Sequence, residues 1–373
     1  MKITLQLQLL PDAGQATKLR ATVERFNEAA NWIAGELYAR RLANKIEAQK
    51  LLYHEIRERF GLSAQMTILC IHRVVEAYKR DRNVKPTFRK HAAITYDART
   101  LSFRGLDRAS VLTLEGRISV PLLMGRYQQE RFTLKKGQSY LVLRDDGKWF
   151  LLVTVDVPDG TPIPATDFIG VDLGVENLAT TSDGDTFSGE AVEKVRTRYY
   201  ERRRTLQKAA SARKKRGKRP RSIRRALKRT KHKEARFRRD VNHVISKRLV
   251  AKAKGTGRGI ALEDLSGIRE RTRFRRPQRA RMSGWAFRQL RSYISYKSRL
   301  AGVPVEIVDA AYTSQTCSAC GHCEKANRVS QAVFSCRSCG YSAHADENAA
   351  RNIRARALVM APMVSEPLQN IAA

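Results

Sequence analysis

Phe168-Ile169-Gly170-Val171-Asp172-Leu173-Gly174 is a short apolar run with a single carboxylate in it. Strand side chains alternate between faces, so Ile169, Val171 and Leu173 point one way and Asp172 the other. Gly170 and Gly174 flank the acid, and such small neighbours leave room over it for a large ligand such as a metal or a phosphate. A strand-end Asp that merely satisfies a turn is the plainer alternative. A second strand follows from Glu176 to Thr181, ended by the turn Ser182-Asp183-Gly184-Asp185.

Two further stretches deliver acids in similar ways. Gly259-Ile260-Ala261-Leu262-Glu263-Asp264-Leu265 is another apolar strand with carboxylates at its C-terminal end. Glu263 and Asp264 face opposite sides, so they cannot easily serve one metal, and alternation alone does not choose between them. His344-Ala345-Asp346-Glu347-Asn348 reads as a helix start, where Asp346 is either a ligand or an N-cap. Together, Asp172, one of the Glu263/Asp264 pair, and Asp346 suit Mg²⁺, which takes oxygen ligands from separate elements and keeps some waters. Two such ions about 3.5–4 Å apart serve phosphodiester cleavage. Gly255-Thr256-Gly257-Arg258-Gly259 precedes a strand instead of joining strand to helix, so it reads as a turn and not as a phosphate-binding loop.

Five of the six cysteines fall between Cys317 and Cys339. Cys317-Ser318-Ala319-Cys320-Gly321 and Cys336-Arg337-Ser338-Cys339-Gly340 are paired knuckles, each closed by a glycine that permits a tight turn. The spacing predicts a zinc ribbon with Cys317, Cys320, Cys336 and Cys339 as ligands of one structural Zn²⁺. Cys323 is a possible competitor. His322 and His344 read as surface residues of the ribbon.

The chain has 373 residues, 42% of them hydrophobic, with 72 Lys plus Arg against 36 Asp plus Glu and a formal net charge of +36. An excess of that size repels itself in a compact fold, and nucleic acid is the first candidate to neutralise it. A membrane surface ranks second. No apolar run reaches about 18 residues and no signal-peptide core opens the sequence, which points to the cytoplasm, associated with the nucleoid.

Along the chain, Lys2 to Leu10 alternates as a half-buried strand, and Ala16 to about Lys79 carries helical spacing for three or four helices. Period two returns after Pro86. Ile94–Tyr96, Val111–Leu114, Ile118–Val120, Phe132–Leu134 and Tyr140–Leu143 read as strands. Asp145-Asp146-Gly147-Lys148 is a hairpin turn into Trp149–Val155. This predicts a small barrel that the first strand joins, with the helices inserted between. Pro158 to Pro164 reads as a linker. From Glu190 to Asp240 close to half the residues are Lys or Arg, a basic helical stretch suited to nucleic acid. Trp285, Phe287, Tyr293 and Tyr296 lie in a helical stretch and read as core rather than as base-stacking residues. The tail after about Ala357 reads as disordered.

These motifs resemble the TnpB family of transposon-encoded proteins, small relatives of the type V CRISPR effectors. The likeness rests on Thr313 to Gly321, the second cysteine pair and Ala345-Asp346-Glu347-Asn348-Ala349-Ala350-Arg351-Asn352-Ile353. It extends to Gly170–Gly174, Leu262–Leu265, the first strand before Pro11, and Pro86-Thr87-Phe88-Arg89-Lys90. The resemblance implies an α+β multidomain fold. A wedge-like β-barrel (1–15 and 81–160) would hold an inserted helical recognition domain (16–80). An RNase H-like, RuvC-type nuclease core (166–310 and 341–357) would carry a basic helical insertion at about 190–240 and an inserted zinc ribbon (311–340), before a tail at 358–373. It implies an RNA-guided DNA endonuclease that binds a transposon-derived guide RNA and reads a short target-adjacent motif. Target DNA would then be cut with two Mg²⁺ held by Asp172, Glu263 and Asp346, the family pattern choosing Glu263. The implied partners are guide RNA and double-stranded target DNA opened into an RNA–DNA heteroduplex, with one protein per RNA. Gln65, Arg73, Lys79 and Arg89 are the candidate nucleic-acid contacts. The rival readings are a catalytically silent RNA-guided regulator, a strand-joining transposase or its accessory DNA-binding protein, and a zinc-ribbon RNA binder.

Overall fold

The computed structural model describes residues 1–134, 136–264 and 287–360. The chain divides into two compact units, Met1–Pro158 and Asp159–Ala373.

In the first unit, β1 (Lys2–Leu9) buries Leu5, Leu7 and Leu9 on one face, as its alternation demands. Three helices follow: α1 (Ala13–Ala39), α2 (Lys45–Phe60) and α3 (Ala64–Arg80). Asp12 starts α1 with a reciprocal capping box to Gln15, and Gly61 ends α2 in the left-handed region at φ 62°. Six strands complete the unit: β2 (Ile94–Tyr96), β3 (Leu101–Arg104), β4 (Arg108–Thr113), β5 (Gly116–Leu123), β6 (Lys136–Leu143) and β7 (Trp149–Asp156). They form a seven-stranded antiparallel sheet in the order β2-β6-β7-β1-β5-β4-β3. The first strand thus pairs with β7 along its whole length and sits inside the sheet, with the three helices inserted after it. Leu5, Phe26, Ile33, Ile56, Val74 and Leu151 share one core, so sheet and helices bury each other.

One strand expectation fails here. Phe132 does not begin a strand; it ends the helix α4 (Arg126–Phe132). Gln128 caps the Gly125 amide at 3.0 Å and starts that helix, and the Phe132 ring is buried edge-on to Phe103 at 4.8 Å. A three-residue apolar fragment has no period of its own, and burial fixed it as a helix end.

The second unit is built on a five-stranded sheet in the order β10-β9-β8-β11-β12. Its strands are β8 (Phe168–Asp172), β9 (Asn177–Thr181), β10 (Thr186–Ser188), β11 (Gly259–Glu263) and β12 (Val305–Val308). β8, β9 and β10 are an antiparallel meander, while β11 and β12 run parallel to β8. The long basic connection is helical: α5 (Glu190–Lys215), α6 (Arg221–Thr230) and α7 (Lys233–Gly255). α8 (Phe287–Ala301) precedes β12, and α9 (Ala345–Met360) closes the described chain. Ile169, Val171, Ile260 and Leu262 pack with Ile245, Leu249, Leu290 and Ile294 on one face of the sheet. Phe168, Ala261 and Val308 meet Ile353 and Ala357 of α9 on the other.

The residues read as a linker are tied down. The Gly160 amide donates to the Arg299 carbonyl at 2.9 Å and the Ile163 amide to that of Gly302 at 2.8 Å. Tyr293 stacks on His243 at 4.1 Å between α7 and α8, and Phe287 packs on the core, whereas Trp285 lies outside the described residues. Leu358 to Met360, read as the start of a disordered tail, are the last residues of α9; residues 361–373 lie outside the described residues. Among the described residues no helix is long and apolar enough to cross a membrane.

Candidate active site and metal centre

Asp172 and Glu263 stand at the C-terminal ends of adjacent parallel strands. Leu262 pairs with Val171, so the two acids are neighbours on one face of the sheet. That face is the one α9 covers, and Asp346 lies in the first turn of α9. The three acids line one cavity of about 290 Å³, together with Gly174, Thr313, Arg328 and Gln331. Asp264 points elsewhere, to an ion pair with Arg291 at 2.8 Å. Strand alternation therefore separates the two adjacent acids as expected, and the packing of α9 decides which of them faces the cavity.

The glycines beside Asp172 do a different job from the one read in the sequence. A Cβ on Gly170 would lie 2.0 Å from the Ala350 carbonyl oxygen and 2.6 Å from the Arg354 amide nitrogen. A Cβ on Gly174 would lie 2.6 Å from the Asn177 carbonyl oxygen. The missing side chains make room for the protein's own backbone, and Gly170 in particular lets α9 settle directly onto β8. Asp346 is not the N-cap: it sits within the helix, and its carboxylate accepts from Asn177 Nδ2 at 2.9 Å.

Glu263 is 8% exposed and accepts from the Thr313 hydroxyl. Burial pushes its carboxyl above the ordinary range. Asp172 is pushed up to about 8, by burial first and then by the charges of Glu263 and Asp346. Arg328, whose guanidinium lies 4.0 Å from Asp346, offsets part of that repulsion. Three recessed carboxylates with so little positive charge among them form a donor set that fits a hard divalent cation.

The second centre is sulfur. The Sγ atoms of Cys317, Cys320, Cys336 and Cys339 all lie within 4.8 Å of one another. Cys317 and Cys339 are 3.7 Å apart and Cys320 and Cys336 are 3.6 Å apart. A tetrahedral Zn²⁺ with Zn–S bonds of about 2.3 Å requires edges of about 3.8 Å, so the donor set fits zinc. Gly321 and Gly340 take φ of 78° and 73°, the left-handed turns the knuckles need. The Cys339 and Ser338 amides hold the Cys336 thiol down at about 6. Cys323 is outside the cluster, in a bridge with Thr316, and His322 and His344 are exposed.

Asn327 joins the two knuckles. Its Nδ2 donates to the Gln315 and His322 carbonyls at 3.0 and 3.2 Å, and its Oδ1 accepts from the Arg337 amide at 2.9 Å. Arg328 is the next residue, so the cysteine centre fixes the cation that reaches the carboxylate cavity. On α9, Asn348 binds Ser318 N and Thr316 O, and Asn352 binds the Thr313 and Thr316 carbonyls. Sequence reasoning missed Asn177, Thr313, Arg328, Asn348 and Asn352. Asn348 and Asn352 left a trace, two amides one helical turn apart beside apolar Ala349 and Ile353. Arg328 left none among 72 cations.

Of the nucleic-acid candidates, Gln65 is bound to Asp97 and Arg99. Arg73 packs over the Phe88 ring at 4.8 Å and donates to Asn27 at 3.4 Å, so both have structural partners. Lys79 is exposed and pairs with Glu76 at 3.8 Å, and Arg89 is exposed.

Fold and sites define a strongly basic, mixed α/β multidomain protein with a carboxylate cavity beside a four-cysteine centre. Residues 150–266 match the family model described as a probable transposase, and residues 287–353 match the Cas12f1-like TNB domain. The chain is also similar to a TnpB-like protein of Methanocaldococcus jannaschii, 29% identical over 164 residues, covering 44% of this chain and 55% of that relative. This chain is 35% identical over 226 residues to the CRISPR-associated endodeoxyribonuclease Cas12f1 of Sulfoacidibacillus thermotolerans, covering 57% of this chain and 51% of that relative. It is 29% identical over 306 residues to the putative RNA-guided DNA endonuclease InsQ of Escherichia coli K12, covering 78% and 73%. The chain thus spans about half the length of the Cas12f1 relative. The cryo-EM structure of a Cas12f1-sgRNA-target DNA complex aligns with TM-score 0.62 and 16% identity, over 92% of this chain and 83% of that one, a likeness of fold.

Proposed function

We propose that this protein is an RNA-guided DNA endonuclease that hydrolyses phosphodiester bonds at the Asp172–Glu263–Asp346 cavity. The observation that carries this reading is the convergence of those three acids, from β8, β11 and α9, on one recess. The acids would hold two Mg²⁺, which when bound supply an activated water and stabilise the leaving oxygen. Asn177 and Thr313 fix the carboxylates of Asp346 and Glu263 in place. Arg328 sits where it can face a phosphate oxygen and offset its charge. Cys317, Cys320, Cys336 and Cys339 would hold one structural Zn²⁺, leaving no ligand position for substrate.

The meander β8–β10, flanked by parallel β11 and β12 and covered by α9, supports reading the second unit as an RNase H-like, RuvC-type core with the ribbon inserted between β12 and α9. The first unit would be the wedge-like barrel with its helical insertion, offering Lys79 and Arg89 to phosphates. Guide RNA pairs with the target, and the protein supplies charge, shape reading and cleavage. The relatives' names, RNA-guided DNA endonuclease and endodeoxyribonuclease, support the same activity.

The test is to purify the protein from its own locus, sequence the bound RNA, and offer plasmids matching the guide, with and without Mg²⁺. Asp172→Ala is expected to retain RNA and lose cleavage. Cleavage at the native rate by that variant would refute the site.

A further inference from the structure

The turn that follows β8 carries a fourth acid. Asp172 ends the strand, and Leu173-Gly174-Val175-Glu176 lead straight into β9, which begins at Asn177. The backbone is held at Glu176 and just beyond it. The Glu176 carbonyl accepts from the Gly189 amide at 2.7 Å, and the next side chain, Asn177, donates to Asp346 at 2.9 Å. Glu176 lines the same recess of about 290 Å³ as Asp172, Glu263 and Asp346. It also lines a neighbouring cavity of about 600 Å³, and it is exposed where Glu263 is buried. Glu176 therefore stands at the mouth of the recess, outside the other three acids. Nearby acids of α5 are occupied: Glu190 pairs with Lys194 at 2.6 Å and Glu193 with Arg196 at 2.5 Å. Among the described residues the Glu176 carboxylate has no such partner.

Arg328 is the one cation that lines the recess among the described residues, against four acids. Carboxylates left to repel one another in this way favour a shared cation. On the two-ion reading above, on which this inference rests, the charges can be matched. Two divalent ions and Arg328 bring five positive charges, while the three deeper acids and one phosphodiester bring four negative ones. Glu176 supplies the fifth. An exposed carboxylate is too well solvated to replace the deeper ligands. Mg²⁺, however, dehydrates reluctantly and keeps several waters, and an acid at the mouth accepts hydrogen bonds from them. We propose that Glu176 belongs to the metal site, holding the water shell of a divalent ion at the mouth of the recess, and that it sets the Mg²⁺ concentration the enzyme needs. It acts on the ion through water and touches no reacting atom, so it is a positioning residue.

Two measurements on the full chain test this, each with the parent, Glu176→Asp, Glu176→Gln, Glu176→Lys and Asp172→Ala. The first is Mn²⁺ uptake by the protein free of nucleic acid, read from the electron paramagnetic resonance of the unbound ion. Uptake that Asp172→Ala removes is that of the recess. Glu176→Gln should weaken it roughly threefold to tenfold, the effect of one charge on a divalent ion several ångströms away across water. Glu176→Lys should weaken it further, and Glu176→Asp should lie between the parent and Glu176→Gln. The second measurement is cleavage of a guide-matched plasmid as Mg²⁺ is raised. The Mg²⁺ midpoint should climb in the same order, while the rate at saturating Mg²⁺ changes far less. Thermal midpoints should not move, because the side chain is exposed. Equal Mn²⁺ affinity and an equal Mg²⁺ midpoint in Glu176→Gln overturn the proposal, as does a fall in the saturating rate with the midpoint unchanged. In either case cleavage that still depends on Asp172 leaves the proposed function standing. Mn²⁺ uptake by the parent that Asp172→Ala does not reduce defeats both.

Discussion

At Gly170 a hydrogen atom stands where any side chain would strike the helix above it. The Ala350 carbonyl oxygen, 2.0 Å from the position a methyl carbon would take, belongs to backbone and cannot swing aside. Gly170→Ala must push α9 away from β8, and with it Asp346 from Asp172. The expected cost is about 3 kcal/mol, read as a lowered thermal midpoint together with loss of cleavage. An unchanged midpoint would contradict the packing described. Asp183 makes a different residue-scale prediction. Its carboxylate accepts two bonds from Arg258, at 2.9 and 2.6 Å, and pairs with Lys252 at 2.7 Å. The Arg258 guanidinium, ahead of Lys252, holds it well below the usual carboxylate range. The stabilisation is therefore present above the unfolded pKa of about 3.9 and is lost as pH falls through the lower folded value. Asp183→Asn should cost about 1–3 kcal/mol near neutral pH. The gap from the parent should narrow as denaturation is followed from about pH 5 down to about pH 2; a gap that widened on acidification would reverse the sign of the argument.

At the scale of elements, α9 is held at both ends. Arg354 grips Asp167, just before β8, through two bonds of 2.8 Å, and Asn348 and Asn352 bind the segment that enters the ribbon. The ribbon has a small core of Phe334, Cys317, Cys336 and Ala345, too little to fold without its staple. Stripping Zn²⁺ with a chelator is expected to raise hydrogen exchange across 315–344 and to release Arg328 from the cavity. The five-stranded sheet should stay protected. Asn327→Ala should act in the same direction more weakly, lowering cleavage while leaving RNA binding intact. Exchange in the ribbon that ignores the chelator would show that the four thiols do not depend on metal.

For the whole molecule the net charge of +36 sets the behaviour. A protein that neutralises about 6–10 phosphates loses roughly 10³–10⁵ in affinity between about 50 and 200 mM salt. Guide-RNA binding measured over that range should fall at least so steeply. A flat profile would mean that the cations of this chain face solvent instead of phosphate.

The sequence by itself determined the pieces. Alternation placed β1, β8 and β11, helical spacing gave α1 to α3, and two cysteine knuckles named the four thiols that cluster, because each of these signals is local and periodic. Alternation also put Glu263 and Asp264 on opposite faces without saying which face mattered. The family resemblance pointed to Glu263, and the tertiary structure supplies the physical reason that it faces the cavity, by laying α9 across one side of the sheet, where Gly170 admits it. The helical end at Phe132, the backbone that Gly170 and Gly174 admit, and the arrival of Arg328 beside Asp346 were likewise decided by packing between segments far apart in the chain. Such contacts depend on which surfaces meet, and no spacing along the sequence encodes them.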